Sequence, residues 1–139
     1  MTSIDENKQI VRRLIREAQE QGRLEVVDEL LADDFVDHTP LEGLPGTREG
    51  VRMLFAALRV AFPDLRVDIS EQIAEEDKVV TRKTFSGTHG GPFLGLPATG
   101  SPVQFEVIDI LTLRDRKICE HRVVVDKLGL LRQLGAIAA

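Results

Sequence analysis

Two acids and an arginine, Asp109, Asp126 and Arg122, fall in a stretch of alternating apolar residues. Carboxylates in such surroundings are costly to bury unless paired, and they are the usual material of general acid and base chemistry. The stretch runs from Val103 through Phe105, Val107, Asp109, Leu111 and Leu113 to Asp115-Arg116, and returns through Ile118, Glu120, Arg122, Val124 and Asp126. Steps of two in both halves predict a β-hairpin. With Asp115 and Arg116 at the centre of a tight turn, Arg114 opposes Lys117, Asp109 opposes Arg122 and Phe105 opposes Asp126. Asp109, Arg122 and Asp126 then share one face with Phe105, Val107, Leu111 and Val124. Two readings of that face stay open. Arg122 and Arg82 neutralise both acids in a buried ion network, or one carboxylate, desolvated by Phe105 and Val124, works as a general base near neutral pH while arginine neutralises the other.

Other chemistries are less well supplied. His38, His89 and His121 are far apart and form no H-x-H or H-x-x-x-H spacing, so no metal is expected. On the hairpin register His121 lies on the face opposite Asp126, beside Cys119 and Val123, where a structural or interface role is expected. His38 is open between a structural hydrogen bond and a polar contact to ligand. Ser3, Ser70, Ser86 and Ser101 sit in no nucleophile elbow. Cys119 is mid-strand, with no helix N-terminus to activate it, and is read as a small buried hydrophobe. The glycines between Thr88 and Pro97 lack the spacing of a phosphate cradle. They predict a wide crossover loop able to form the rim or lid of a pocket.

The elements that must carry these residues are helices first and strands afterwards. Apolar residues at Ile10, Val11, Leu14, Ile15 and Ala18 predict a helix over Ile4 to Gln21, closed by Gly22. Glu25 to Leu31 reads as a short second helix, and Asp33 to Pro40 as an extended stretch. A third helix runs from Arg48 to Phe62, capped by Thr47 and stopped by Pro63-Asp64. Leu65 to Ala74 and Lys78 to His89 form one hairpin, the acid-bearing pair forms another, and Leu128 to Leu134 makes a closing helix. Three helices followed by four long antiparallel strands predict an α+β domain whose sheet curls around the helices, one domain over residues 1–139.

Composition narrows the partners. The chain is 42% hydrophobic and 29% charged, the balance of a globular protein. With 23 acidic against 18 dispersed basic residues, its net charge of −5 gives no electrostatic reason to approach nucleic acid or an anionic membrane. Six Phe with no Trp or Tyr leave little for stacking bases. A lone cysteine forms no internal disulfide, and the polar start of the chain carries no apolar signal core, so a cytoplasmic protein is expected.

Several runs match a known family in order along nearly the whole chain. They are Ala61-Phe62-Pro63-Asp64-Leu65, the Thr-His-x-Gly-x-Phe-x-Gly-x-Pro-x-Thr-Gly loop from Thr88 to Gly100, Asp109-Ile110, and Lys117-Ile118-Cys119-Glu120-His121 leading to Asp126 and Leu130-Leu131-Arg132-Gln133-Leu134-Gly135. Together they resemble the SnoaL-like polyketide cyclases, also called ester cyclases, of the nuclear transport factor 2-like superfamily. The resemblance implies a cone, a curved antiparallel sheet wrapped around three helices with a pocket at the open end. It implies an intramolecular aldol condensation that closes the last ring of an aromatic polyketide without metal or cofactor. The acid/base of such cyclases is a carboxylate on the last strand, which falls on Asp126, and Asp109 and His38 match pocket positions. The chain departs from the family pattern where Arg122 replaces a usual Trp and Asp115-Arg116 a usual Asp-Gly. On the hairpin register Arg122 would lower the pKa of both acids.

The expected site therefore has Asp126 and Asp109 as catalytic carboxylates. His38, Arg82, Arg122, Phe62, His89, Phe93 and Phe105 are the expected substrate contacts, and no cofactor is expected. The function expected is a cofactor-free acid/base enzyme of the polyketide cyclase type, acting on a small or medium apolar molecule. Alternatives are a non-catalytic small-molecule binder, a related isomerase, hydrolase or lyase, or a dimerisation module with a vestigial pocket. The other face of the hairpin, with Ile108, Ile110, Val123 and Val125, predicts a two-fold homodimer.

Overall fold

The computed structural model describes residues 3–137. Helix α1 (Ile4–Arg13) starts where Ser3 Oγ accepts from the Glu6 N–H at 3.0 Å. It runs directly into a π-helical stretch, Leu14–Glu20, whose wider turn shows in the Gln21 N–H donating to the Arg16 carbonyl at 3.2 Å. Leu14, Ile15, Ala18 and Gln19 are all buried there. Gly22, at φ 78°, ends the segment. Helix α2 (Glu25–Leu30) follows, and α3 (Arg48–Ala61) is capped by Thr47 as its sequence predicts.

Five strands, β1 (Leu31–Asp37), β2 (Arg66–Glu75), β3 (Lys78–Thr88), β4 (Pro102–Arg114) and β5 (Lys117–Val125), form one sheet in the order β1-β5-β4-β3-β2. The α+β class and the curved sheet around N-terminal helices are as expected. The extended stretch after α2 is more than a connection. It is a fifth strand, beginning at Leu31 and parallel to β5, with Asp37 beside His121. Helix α4 (Lys127–Gln133) closes the chain against β4. Among the described residues no helix is long and apolar enough to cross a membrane.

The hairpin differs from its predicted register by one residue, and the site depends on that difference. Asp115 and Arg116 both take positive φ, 51° and 65°, as a primed two-residue turn requires, and Arg114 opposes Lys117. Leu113 then pairs with Ile118, but Thr112 pairs with Glu120. Cys119 is the extra residue of a β-bulge, its Sγ donating to the Thr112 carbonyl at 3.4 Å. Beyond it Ile110 opposes Arg122 and Asp109 opposes Val123. A one-residue slip exchanges the faces of a strand, so His121 and Val123 turn inward while Arg122 and Val124 turn out.

The core lies between the helices and the concave side of the sheet, where Val11, Ile15, Ala18, Phe55 and Leu58 meet Val79, Phe85, Phe105, Val107 and Leu111. The loop between β3 and β4 is tied to the end of α3. The Gly90 and Gly91 N–H groups both donate to the Ala61 carbonyl, at 2.8 and 3.2 Å. A side chain at Gly91 would run into the Val60 carbonyl, so the close approach requires glycine.

Candidate active site

The helices and sheet enclose a cavity of about 830 Å³, within the range of small-molecule sites. Most of its wall is apolar, with Leu54, Phe55 and Leu58 of α3 facing Phe85, Phe105 and Val107 of the sheet. Phe93 and Leu94 of the tethered loop complete the wall, as expected of a rim. Polar residues interrupt it, among them Asp37, His121, Asp109, Lys83 and Gln19, with Thr39, Glu42 and Lys127 also on the wall.

Asp37, His121, Asp109 and Lys83 form a band across the concave face. Asp37 on β1 adjoins His121 on β5; His121 opposes Leu111, two residues from Asp109 on β4; Asp109 opposes Thr81, two residues from Lys83 on β3. Diagonal neighbours on one face of an antiparallel pair lie roughly 7–8 Å apart at Cα, within reach of one ligand.

The band has two poles. At the first, His121 Nδ1 lies 3.0 Å from Asp37 Oδ1, which also accepts from the Thr39 N–H at 3.0 Å. Burial raises the Asp37 pKa, but the hydrogen bond and charge of His121, with the Thr39 contacts, outweigh it and hold the carboxyl below its ordinary value. With Nδ1 facing a carboxylate, Nε2 is the nitrogen left to take a proton. The second pole is an ion pair in the interior. Lys83 Nζ lies 2.8 Å from Asp109 Oδ2 and donates to Gln19 Oε1 at 3.0 Å, with Lys83 and Asp109 only 4% and 2% exposed.

Of the residues expected to act, Asp109, Phe93 and Phe105 are on the cavity wall. Asp126 is not. It is exposed, and its Oδ1 accepts from the Gly129 N–H at 2.9 Å as the N-cap of α4. Arg122 is exposed on the outer side of the sheet, turned there by the bulge, and no longer stands between the two acids. Arg82 is also outside, paired with Glu71 at 3.0 Å and Glu106 at 2.7 Å. The ion network expected of Asp109 with these arginines is replaced by its pairing with Lys83.

His38 Nε2 bonds Glu120 Oε1 at 2.8 Å, while its chain neighbours Asp37 and Thr39 border the cavity. Phe62 and His89 are fully buried behind the wall. Phe62 packs edge-on to Phe93 with ring centroids 5.5 Å apart, and His89 Nδ1 bonds Thr99 Oγ1 at 2.9 Å, holding the loop.

Sequence reasoning missed Asp37, His121, Lys83 and Gln19. Lys83 carried a signal, since it shares the inward parity of Val79, Thr81 and Phe85. Among the described residues no group of three His, Cys, Asp or Glu side chains is placed to hold a metal ion.

A curved sheet wrapped around N-terminal helices, with a mostly apolar cavity crossed by a polar band, defines a fold of the nuclear transport factor 2-like class. The profile of the SnoaL-like polyketide cyclases matches residues 9–134, and the chain belongs to that family. It is 32% identical over 130 residues to the aklanonic acid methyl ester cyclase DauD of Streptomyces sp. strain C5, covering 91% of this chain and 80% of that one. It is 29% identical over 119 residues to the nogalonic acid methyl ester cyclase of Streptomyces nogalater, covering 82% and 87%. Among solved structures, TsrD of Streptomyces laurentii superposes with a TM-score of 0.90 at 30% identity, covering 99% of this chain and 100% of that one.

Proposed function

We propose that the protein is a cofactor-free cyclase that closes a ring by intramolecular aldol chemistry, with His121, oriented by Asp37, as its base. The observation that carries this reading is the Asp37–His121 pair on the wall of a mostly apolar cavity. His121 Nε2 takes the proton from a C–H next to a carbonyl, and the electron pair becomes an enolate. The enolate carbon attacks a second carbonyl of the same molecule, forming the C–C bond, and the imidazolium returns the proton to the new alkoxide. No atom is gained or lost in the ring-forming addition, so no co-reactant is required. The apolar walls fold the chain of the substrate and exclude water from the enolate.

Two relatives named as methyl ester cyclases support a carbonyl-rich apolar substrate. The test is ring closure by purified protein, with aklanonic acid methyl ester as the first candidate substrate. His121→Gln is expected to lower kcat on the order of 10²-fold or more with the fold intact. A His121→Gln variant as active as the parent would remove His121 from the mechanism.

The assembly proposed is a two-fold homodimer through the outer face of the sheet. There Glu71-Arg82-Ile108-Val124 and Ile73-Val80-Ile110-Arg122 stand as adjacent cross-strand rows. An apolar centre flanked by charges of both signs is self-complementary under a two-fold axis. A cytoplasmic setting is part of the same proposal, in keeping with the unpaired Cys119.

A further inference from the structure

The base at His121 leaves the second pole of the cavity without a task. A buried lysine–aspartate pair can be purely structural, but then both carboxylate oxygens should find partners inside the protein. Here they do not. Asp109 Oδ2 faces Lys83 Nζ at 2.8 Å, whereas Oδ1 is buried and, among the described residues, receives no hydrogen bond. Thr81, opposite Asp109 on β3, accepts from Gln72 Nε2 at 3.2 Å and makes no hydrogen bond to Asp109 Oδ1.

Lys83 is similarly incomplete. Its ammonium carries three N–H groups, and Asp109 and Gln19 account for two. The nitrogen stands 5.4 Å from the Phe85 ring centroid, and Lys83, Asp109, Gln19 and Phe85 all border the cavity. At the wall the pair therefore keeps one buried carboxylate oxygen and one ammonium N–H without a protein partner among the described residues, which a ligand that shifts the side chains slightly could engage together. Gln19 reaches the pair from the π-helical stretch and anchors the ammonium.

We propose that Lys83 and Asp109, braced by Gln19, form a ligand subsite for the group O=C–C=C–OH, the pattern of an enolised 1,3-dicarbonyl or an ortho-acyl phenol. The hydroxyl donates to Asp109 Oδ1, and the carbonyl oxygen accepts from Lys83 Nζ. A lone ketone satisfies only the lysine, and a carboxylate is repelled by Asp109, so the pair selects a neutral donor beside an acceptor. The assignment rests on the cyclase reading only in taking the occupant to be a carbonyl compound.

The probes are 1-acetyl-2-naphthol and its methyl ether, 1-acetyl-2-methoxynaphthalene, titrated by fluorescence and calorimetry. The ether keeps the carbonyl and rings but loses the donor. The parent protein is expected to bind the naphthol on the order of tenfold more tightly, because the ether leaves the carboxylate oxygen unsatisfied. Lys83→Met/Asp109→Leu replaces the pair by apolar residues of similar size and should abolish the preference, bringing the two affinities to within about twofold. Its fold is checked by circular dichroism, and Asp109→Asn, expected to lose the same preference, serves if the double variant does not fold. His121→Gln is expected to keep the preference. Equal affinities for the two probes, no binding of either by the parent, or a preference that survives in the folded variants would each overturn the subsite. A protein that discriminates the probes but closes no ring would refute the cyclase reading alone.

Discussion

At the scale of single residues, position relative to the cavity decides which acid can act. Asp126 is the last-strand carboxylate that family resemblance selects, yet its oxygen is spent on the first turn of α4 and its side chain is exposed. Asp126→Ala is expected to cost about 1 kcal/mol of stability, the usual worth of an N-cap, and to leave kcat within a few fold. A loss of activity as large as that of His121→Gln, in a variant that still melts cooperatively, would restore Asp126 as the base. Asp37 gives a second test. Its folded-state pKa lies below its ordinary 3.8, so it stabilises the fold fully above that value, and the contribution is lost as pH falls through the lower folded value. Denaturant melts should therefore show the parent losing more stability on acidification than Asp37→Asn. Identical acid profiles would show that the His121 contact does not perturb the carboxyl.

At the scale of elements, most boundaries were legible because their signals are local. Thr47 sits at its helix N-cap, Gly22 at a left-handed stop, and the alternation of β3 and β4 is regular. Hairpin register was not, because the bulge at Cys119 carries no mark in the sequence. Its neighbours Ile118, Cys119 and Glu120 read as uninterrupted strand, and one unpaired residue moved Arg122 out and His121 in. The same slip hid the site, since Asp37 and His121 become partners only once β1 is known to run parallel to β5. Lys83 was readable from its parity, but its acidic partner was assigned to arginines that lie on the other side of the sheet. The rim loop shows how an element supports the cavity without catalysing anything. Gly91→Ala would push the loop off the end of α3, where Phe93 and Leu94 help form the wall. The expected cost is roughly 1–3 kcal/mol of stability, with weaker ligand binding. Calorimetric melts and probe titrations check both, and unchanged values would mean that the loop accommodates the methyl group.

At the scale of the whole molecule, the sheet serves two surfaces whose residues alternate along the same strands. Its concave side carries the polar band and the cavity. Its convex side carries Ile73 at 62% exposure and Val124 at 75%, with Ile108 and Ile110 between them. The bulge corrects the membership of that outer patch, because Val123 and Val125, expected there, instead border the cavity. Two copies related by a two-fold axis would bury this patch in each other, and a stable interface of ordinary size removes on the order of 1,200–2,000 Å² from water. Because β5 contributes His121 and Val123 to one side and Arg122 and Val124 to the other, pairing of the outer faces would also stiffen the strand that holds the proposed base. Val124→Lys places like charges at the centre of the interface without touching the cavity. Light scattering at micromolar concentration is expected to show a dimer for the parent and a monomer for the variant, with ring closure by the variant slowed by loss of stiffness rather than abolished. A parent protein that is monomeric under those conditions would leave the outer face without its proposed partner.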